Sequence, residues 1–161
     1  MAGEVSSAGI VIKYGVESTV GTKPSVFKEK ATGATLNIAD YVTGISGLGA
    51  EYDQYDVTPL SEMVRHRFIK GLQNNDGNLS LNANINPTSR ADWQLIVDEY
   101  TALTGGLGMW FEFKLPGDTQ SVYFRGEPCA MSFPDVEAAS AIQGTIQIIE
   151  NEYGGWAASS T

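Results

Sequence analysis

The sequence has almost none of the side chains on which most catalytic and metal sites depend. Its 161 residues include one histidine, His66, and one cysteine, Cys129. That pair cannot supply the clustered imidazole and thiolate ligands of a transition-metal site, and a lone cysteine cannot form an internal disulfide. No Gly-x-Ser-x-Gly motif accompanies His66 to suggest a hydrolase. We therefore expect no catalytic site, no metal and no cofactor, with His66 on a surface and Cys129 in the core.

Long apolar runs and an excess of basic charge are also missing. Uninterrupted apolar stretches span only a few residues, well short of the roughly 18 that suggest a transmembrane helix. The first residues lack the basic and apolar regions of a secretory signal. Ten basic residues stand against 19 acidic ones, which gives a net charge of −9. A domain with this charge is expected to repel DNA, and we expect no membrane anchor.

What the sequence does contain is alternation of apolar and polar residues with a period of two, which is typical of half-buried β-strands. The turn at residues 116–119 joins two such segments and predicts a β-hairpin. The pattern is clear at residues 78–86, 109–115, 122–125 and 142–148, and shorter at 9–14, 35–38 and 42–55.

One segment, at about residues 89–103, has apolar side chains three and four positions apart, which predicts an amphipathic helix. Ser89 and Asp92 resemble a capping box at its start, and two glycines follow its end. We expect its apolar face to pack on a sheet of the same subunit. The residues of that face are Trp93, Ile96, Val97 and Tyr100.

Many strands and one helix predict an α+β domain that is mainly β. Residues 1–161 are expected to form one domain, because no linker or internal repeat divides them. The ends, residues 1–8 and 153–161, are rich in small residues and are expected to be flexible arms. Residues 56–77 lack a clear period, and a long inter-strand loop of this kind is usually functional or ordered by a partner.

Three motifs resemble those of the major tail tube proteins of long-tailed bacteriophages. Residues 15–22, Gly-Val-Glu-Ser-Thr-Val-Gly-Thr, resemble the family's opening motif. Residues 52–58 resemble its strand that runs into an Asp-Val-Thr corner. Residues 67–72, followed by 76–80, resemble its Arg-x-Phe-Ile-x-Gly-Leu segment and Asp-Gly strand start, with Lys70 where proline is common. The order and spacing of the motifs hold over roughly residues 10–150.

The resemblance implies a β-sandwich or barrel-like domain with a flanking helix. Copies of such a domain assemble into hexameric rings that stack into a hollow tube, and DNA passes through the tube without specific binding. The implied partners are copies of the chain itself, a tape-measure protein, and tail terminator or baseplate proteins. The implied location is the phage tail, after synthesis in the host cytoplasm.

Charge is distributed unevenly along the long loop, and this pattern predicts a role in ring stacking. Its acidic residues come first and its basic residues follow, so its basic part can contact an acidic patch on the next ring. The resemblance also implies an inter-ring loop here. The alternative is a solvated loop whose charges pair inside one subunit. The residues concerned are Asp53, Asp56, Glu62, Arg65, Arg67 and Lys70.

Two strand faces are polar but carry no charge, which suggests the lumen of the tube, because neutral amides cannot bind phosphate as ion pairs. The alternative is an ordinary solvent-facing sheet surface, since antiparallel sheets often expose one face. The residues of these faces are Asn78, Ser80, Asn82, Asn84, Gln143, Thr145 and Gln147.

Two other functions stay open from the sequence. A small β-sandwich module that binds carbohydrate or a receptor on a virion or cell surface would need exposed aromatic side chains in a groove, with Trp110, Tyr123 and Trp156 as candidates. An enzyme that uses a carboxylate pair, such as Asp98 and Glu99, is the weakest of the hypotheses.

Overall fold

A computed structural model describes residues 9–47, 51–74, 78–134, 136–138 and 142–160. The elements in chain order are β1 (Val11–Val16), α1 (Ile38–Tyr41), β2 (Val42–Ser46), β3 (Glu51–Asp56), β4 (Phe68–Asn74), β5 (Asn78–Asn84), α2 (Pro87–Thr101), β6 (Met109–Lys114), β7 (Gln120–Pro128) and β8 (Gln143–Ala158). Six antiparallel strands form a curled sheet, a half-barrel, in the order β1-β6-β7-β8-β5-β2. Strands β3 and β4 form a separate two-stranded sheet. The fold is α+β and mainly β, as predicted. Neither helix of the described residues has the length and apolarity to cross a membrane.

The hairpin predicted around residues 116–119 is confirmed as β6 and β7. Phe111 lies opposite Phe124 and Phe113 lies opposite Val122 in the antiparallel register. These side chains alternate toward the core, where the Phe111 and Phe124 rings stack with their centroids 5.4 Å apart. The period of two in the sequence corresponds to the face that enters the main core, although Trp110, Glu112 and Tyr123 on the other face are buried as well.

The predicted helix is α2, whose start differs in detail from the expected capping box. Asn86 is the N-cap, and its side chain accepts a hydrogen bond from the Ser89 backbone N–H at 2.9 Å. Asp92 is buried instead, and its carboxylate accepts the N–H groups of Thr35 (3.2 Å) and Leu36 (2.8 Å). These bonds hold residues 35–38, predicted as a short strand, in the approach to α1.

The core lies between α2 and one face of the curled sheet. Trp93 and Ile96 are buried, whereas Val97 and Tyr100 are partly buried and pack against the same cluster. The indole N–H of Trp93 donates to the Cys129 carbonyl oxygen at 2.7 Å, which fixes the segment after β7 to the helix. The helix contributes apolar side chains that a single sheet would otherwise leave uncovered.

The long loop is shorter than the sequence suggests, because residues 68–74 form β4 and pair with β3. Only residues 57–67 remain as the connection between these two strands. The N-terminal arm predicted at residues 1–8 lies outside the described residues.

The end of the chain also differs from the expected flexible arm. Strand β8 extends to Ala158, which lies opposite Gln120 of β7. Gly154 permits the close approach of the two strands, because a Cβ there would lie 2.8 Å from the Trp110 ring and 2.9 Å from the Tyr123 carbonyl oxygen. Residues 153–158 therefore belong to the central sheet.

Candidate assembly surfaces

The β3–β4 hairpin exposes apolar side chains on both of its faces. Tyr55 and Ile69 lie opposite each other on one face, and Phe68 lies opposite Asp56 on the other. Each of these three apolar side chains is about half exposed, at 50%, 53% and 57% respectively. A two-stranded sheet is marginally stable alone, and exposed apolar patches mark interaction surfaces. The hairpin therefore has the composition of an element that is completed by a partner.

The connection at residues 57–67, which we call the hairpin tip, is ordered by its own hydrogen bonds. The Thr58 N–H donates to the Asp56 carboxylate at 2.9 Å, and the Arg67 N–H donates to the Thr58 hydroxyl oxygen at 2.7 Å. The hydrogen bonds from Thr58 lower the pKa of Asp56 below its ordinary value. The Val64 N–H donates to the Glu62 carboxylate at 3.1 Å, but the side chains of Leu60, Met63 and Val64 are almost fully exposed at the tip.

Of the charged residues predicted for the stacking loop, two pair with each other inside the tip and Arg65 is exposed to solvent. Glu62 and Arg67 form an ion pair within the tip, with 3.0 Å between Oε2 and the guanidinium, which matches the alternative of pairing inside one subunit. Arg65 is exposed and makes no ion pair with a residue that the structure describes. Lys70 lies on β4 opposite Gln54, and Asp53 lies on β3, where its side chain is outside the described residues. His66 is exposed, with its Nδ1 3.7 Å from the Asp56 carboxylate.

The two neutral faces predicted from the sequence are one continuous surface. In the β5–β8 register, Ser80 lies opposite Gln147, Asn82 opposite Thr145, and Asn84 opposite Gln143. These side chains are exposed except for Ser80, which is half-buried, and the Gln143 amide donates to the Asn84 side-chain oxygen at 3.0 Å. The side chain of Asn78 is outside the described residues. The other face of the same two strands points into the core.

The glutamate of the 15–22 motif forms a buried network that the sequence did not reveal. The side chain of Glu17 is fully buried and accepts hydrogen bonds from the indole N–H of Trp110 (2.7 Å), Nε of Arg125 (2.9 Å), and the backbone N–H groups of Gly21 and Gly108 (both 3.0 Å). Gly21 has a φ of 75°, a conformation that favours glycine. Burial alone raises the pKa of Glu17, but these donors and the Arg125 charge lower it overall.

A second buried glutamate, Glu112, binds the end of the chain. Its carboxylate accepts hydrogen bonds from the Ser160 N–H at 2.9 Å, from the Ser160 hydroxyl, and from the Tyr123 hydroxyl at 2.8 Å. Burial alone raises the pKa of Glu112, but the bonds from Ser160 and Tyr123 lower it overall. In the sequence Glu112 stands between Phe111 and Phe113, and this alternation predicts a solvent-facing side chain.

The aromatic residues that a carbohydrate-binding groove would need are not arranged for that role. Trp110 and Tyr123 are buried, and together with Phe27 they form a small cluster on the face of the sheet opposite the main core. Trp156 alone of the three candidates is exposed.

Of the carboxylates considered for acid–base chemistry, Asp98 accepts a hydrogen bond from Gln94, and Glu99 accepts hydrogen bonds from Tyr14 and Lys28. The described residues contain no cluster of His, Cys, Asp and Glu that could hold a metal ion.

Comparison with known proteins gives a relationship of fold. No family model matches the sequence, and no curated protein matches it. A chain in the six-fold symmetrised cryo-EM structure of the anti-feeding prophage baseplate matches with a TM-score of 0.57 at 13% identity, covering 95% of each chain. The protein therefore shares its fold, over nearly its whole length, with a component of the anti-feeding prophage baseplate.

Proposed function

We propose that this chain is a structural protein of a phage tail, which assembles with copies of itself into hexameric rings that stack as the tail tube. The observation that carries the proposal is the β3–β4 hairpin, an element whose described apolar side chains are exposed on both faces. Such an element gains stability when a second molecule covers it.

The fold likeness and the sequence motifs support the proposal from two independent directions. The similar chain belongs to a baseplate whose structure is six-fold symmetrised. The motifs that resemble tail tube proteins lie in the same order over most of this chain. One of them, residues 15–22, supplies the buried Glu17 that attaches this segment to β6 and β7.

The open sheet offers a route to ring formation. Strand β2 lies at the end of the six-stranded sheet and pairs only with β5. The hydrogen-bonding groups on the outer side of an edge strand are available to a strand of another chain. Lateral contacts at such an edge and axial contacts through the hairpin tip would use different surfaces of the subunit, as stacked rings require.

In this proposal the protein is not an enzyme, and its location is the tail of the virion, after synthesis in the host cytoplasm. Its partners are copies of itself, a tape-measure protein, and terminator or baseplate proteins at the tube ends. DNA would pass through the lumen without specific binding. The neutral surface of β5 and β8 suits that role, because it offers amides and hydroxyls in place of cations.

Assembly of the purified protein tests the proposal. Wild-type protein is expected to form rings or tubes in negative-stain micrographs, and the double variant Leu60→Asp/Met63→Asp is expected to stop at small oligomers. Because both side chains are exposed, the free energy of unfolding should change by less than about 0.5 kcal/mol. Val20→Asp/Val26→Asp, at exposed positions outside the hairpin, is the matched control and should polymerise normally. A wild-type chain that stays monomeric would contradict the proposal, and glycan binding by that monomer would favour the carbohydrate-binding alternative.

A lysine on the neutral surface tests the assignment of the lumen. In virions that carry Asn82→Lys, every subunit of a ring would present a cation to the passing phosphates, and DNA ejection should slow, most strongly at low salt. Gln94→Lys adds the same charge on the exposed side of α2 and should leave ejection unchanged. Ejection at the wild-type rate from Asn82→Lys virions would show that this surface faces the solvent instead.

A further inference from the structure

The end of the sheet opposite the hairpin carries an apolar groove of about 340 Å³. It lies between the start of α2 and the segment that leads from β7 to β8. Its floor is fixed, because the Ile85 N–H donates to the Ile142 carbonyl oxygen at 3.0 Å. The side chains that line it include Ile85, Arg90, Met131, Phe133, Val136 and Ile142.

The most exposed large apolar side chains of the described residues are divided between this groove and the hairpin tip. Leu60, Met63 and Val64 of the tip are 106%, 94% and 89% exposed, and Phe133 of the groove is 91% exposed. Every other large apolar side chain in the described part of the chain has a quarter or more of its surface covered. Two separate apolar surfaces, one projecting and one concave, are therefore left without a partner in the same subunit.

The positions of the two surfaces are those of a head-to-tail contact. The hairpin leaves the sheet after Ser46, which lies opposite Ser80 near the start of β5. The groove begins at Ile85, just beyond the end of β5. Since β5 has seven residues, its length separates the groove from the base of the hairpin by about 20 Å along the strand direction. When the tip of one copy contacts the groove of the next, the pair still has an unused tip at one end and an unused groove at the other. The same contact can therefore repeat indefinitely.

We infer that the groove is the receptor for the hairpin tip of a second copy of this chain, an inference that rests on the proposed self-assembly. One pair of opposite charges flanks the two surfaces, while Arg90 in the groove lining carries the same sign as Arg65. Arg65 at the tip and Glu137 next to Val136 are both exposed, and neither makes an ion pair with a described residue. In the contact, Leu60, Met63 and Val64 enter the groove while Arg65 approaches Glu137.

Two variants that each lack one half of the contact test the inference. The tip variant is Leu60→Asp/Met63→Asp, and the groove variant is Phe133→Asp/Val136→Asp, whose side chains are exposed and do not support the core. Neither should elongate alone. Mixed together, they should form complexes of two assembly units that grow no further, because only one intact tip and one intact groove can meet at each junction. Mass photometry measures the size of the complexes, and Val20→Asp/Val26→Asp is the control that should elongate.

The outcomes separate this inference from the proposed function. If the wild-type protein and the groove variant both form long tubes, the inference is wrong and the tail tube proposal stands. If the two variants do not combine when mixed, the tip and the groove do not meet, and the inference is again wrong. If the wild-type chain forms neither rings nor tubes, the proposed function fails and the inference fails with it.

A charge reversal tests the orientation of the contact. Arg65→Glu or Glu137→Arg alone should raise the critical concentration for tube growth by about fivefold, the effect of one partly exposed ion pair. The double variant should return it close to the wild-type value. A double variant with the summed defect of the two single variants would overturn the placement of Arg65 beside Glu137.

Discussion

Replacing Trp93 with alanine is expected to lower the free energy of unfolding by about 3–5 kcal/mol. The indole is 99% covered and packs in the main core beneath α2. Its removal leaves a cavity and also deprives the Cys129 carbonyl oxygen of its donor. For a chain of this size the melting temperature should fall by roughly 6–20 °C. The loss is large beside the 5–15 kcal/mol typical of whole domains.

Denaturant unfolding in the tip-variant background measures this effect without a contribution from tube growth. Leu95→Ala removes an apolar side chain from the same helix where it is 37% exposed, and should cost less than about 1 kcal/mol. An unchanged melting temperature for Trp93→Ala would mean that this face of α2 packs on a neighbouring subunit. The monomer would then stay intact and assembly would fail.

Replacing Glu17 with glutamine is expected to cost about 3 kcal/mol, at the lower end of the range for breaking a buried ion pair. The Glu17 side chain is completely covered and the Arg125 side chain is 25% exposed, so the arginine left behind keeps some solvation. Glutamine also replaces one accepting carboxylate oxygen with an NH2 group. The hydrogens of that group would point at N–H donors that then lack an acceptor. Glu152→Gln, an exposed residue on β8, is the control and should be nearly neutral.

The Glu17 network also predicts how stability depends on pH. Because the pKa of Glu17 is lowered in the folded protein, its stabilisation is fully present above the unfolded value of about 4.5. It is lost as the pH falls through the lower, folded pKa. The stability of Glu17→Gln should therefore decline less steeply in acid than that of the wild type, although Glu112 still contributes to the decline. Equal acid dependence of the two proteins in denaturant titrations would contradict this account.

The periodic elements were predictable because burial imposes the pattern that the sequence displays. The hairpin of β6 and β7 and the helix α2 each have one face in the core, and the period of their apolar residues follows that face. The described side chains of β4, at residues 68–70, have no such face. Phe68 and Ile69 are adjacent in the chain and both are about half exposed. Because solvent reaches both faces of the strand here, its apolar and polar residues do not alternate.

The buried acidic residues could not be found from the sequence for a related reason. A glutamate is usually exposed, and only the converging donors around Glu17 and Glu112 explain why these two are covered. The end of β8 was missed because its small residues suggest mobility, whereas Gly154 is required for close contact with the Trp110 ring. Both errors concern residues whose role depends on distant parts of the chain.

The candidate surfaces were predictable only in part. Alternation placed Asn82 and Asn84 of β5 on one polar face, and the register then joined that face to β8. The tip was recognised from its charges, yet its exposed Leu60 and Met63 are its most distinctive feature. The groove has no signal in the sequence, because residues from about 85 to 142 come together only in the folded chain.

The order of the strands has a consequence for the timing of synthesis. Strand β8, the last strand described, lies between β5 and β7 in the middle of the sheet. A nascent chain that ends before Gln143 holds β1, β6 and β7 in one set of paired strands and β2 and β5 in another, without the strand that joins the two sets. Pairing over such sequence separations is slow, on the order of milliseconds to seconds. We therefore expect that a subunit cannot join a growing polymer until translation has passed Ala158, which keeps chains on the ribosome from polymerising prematurely.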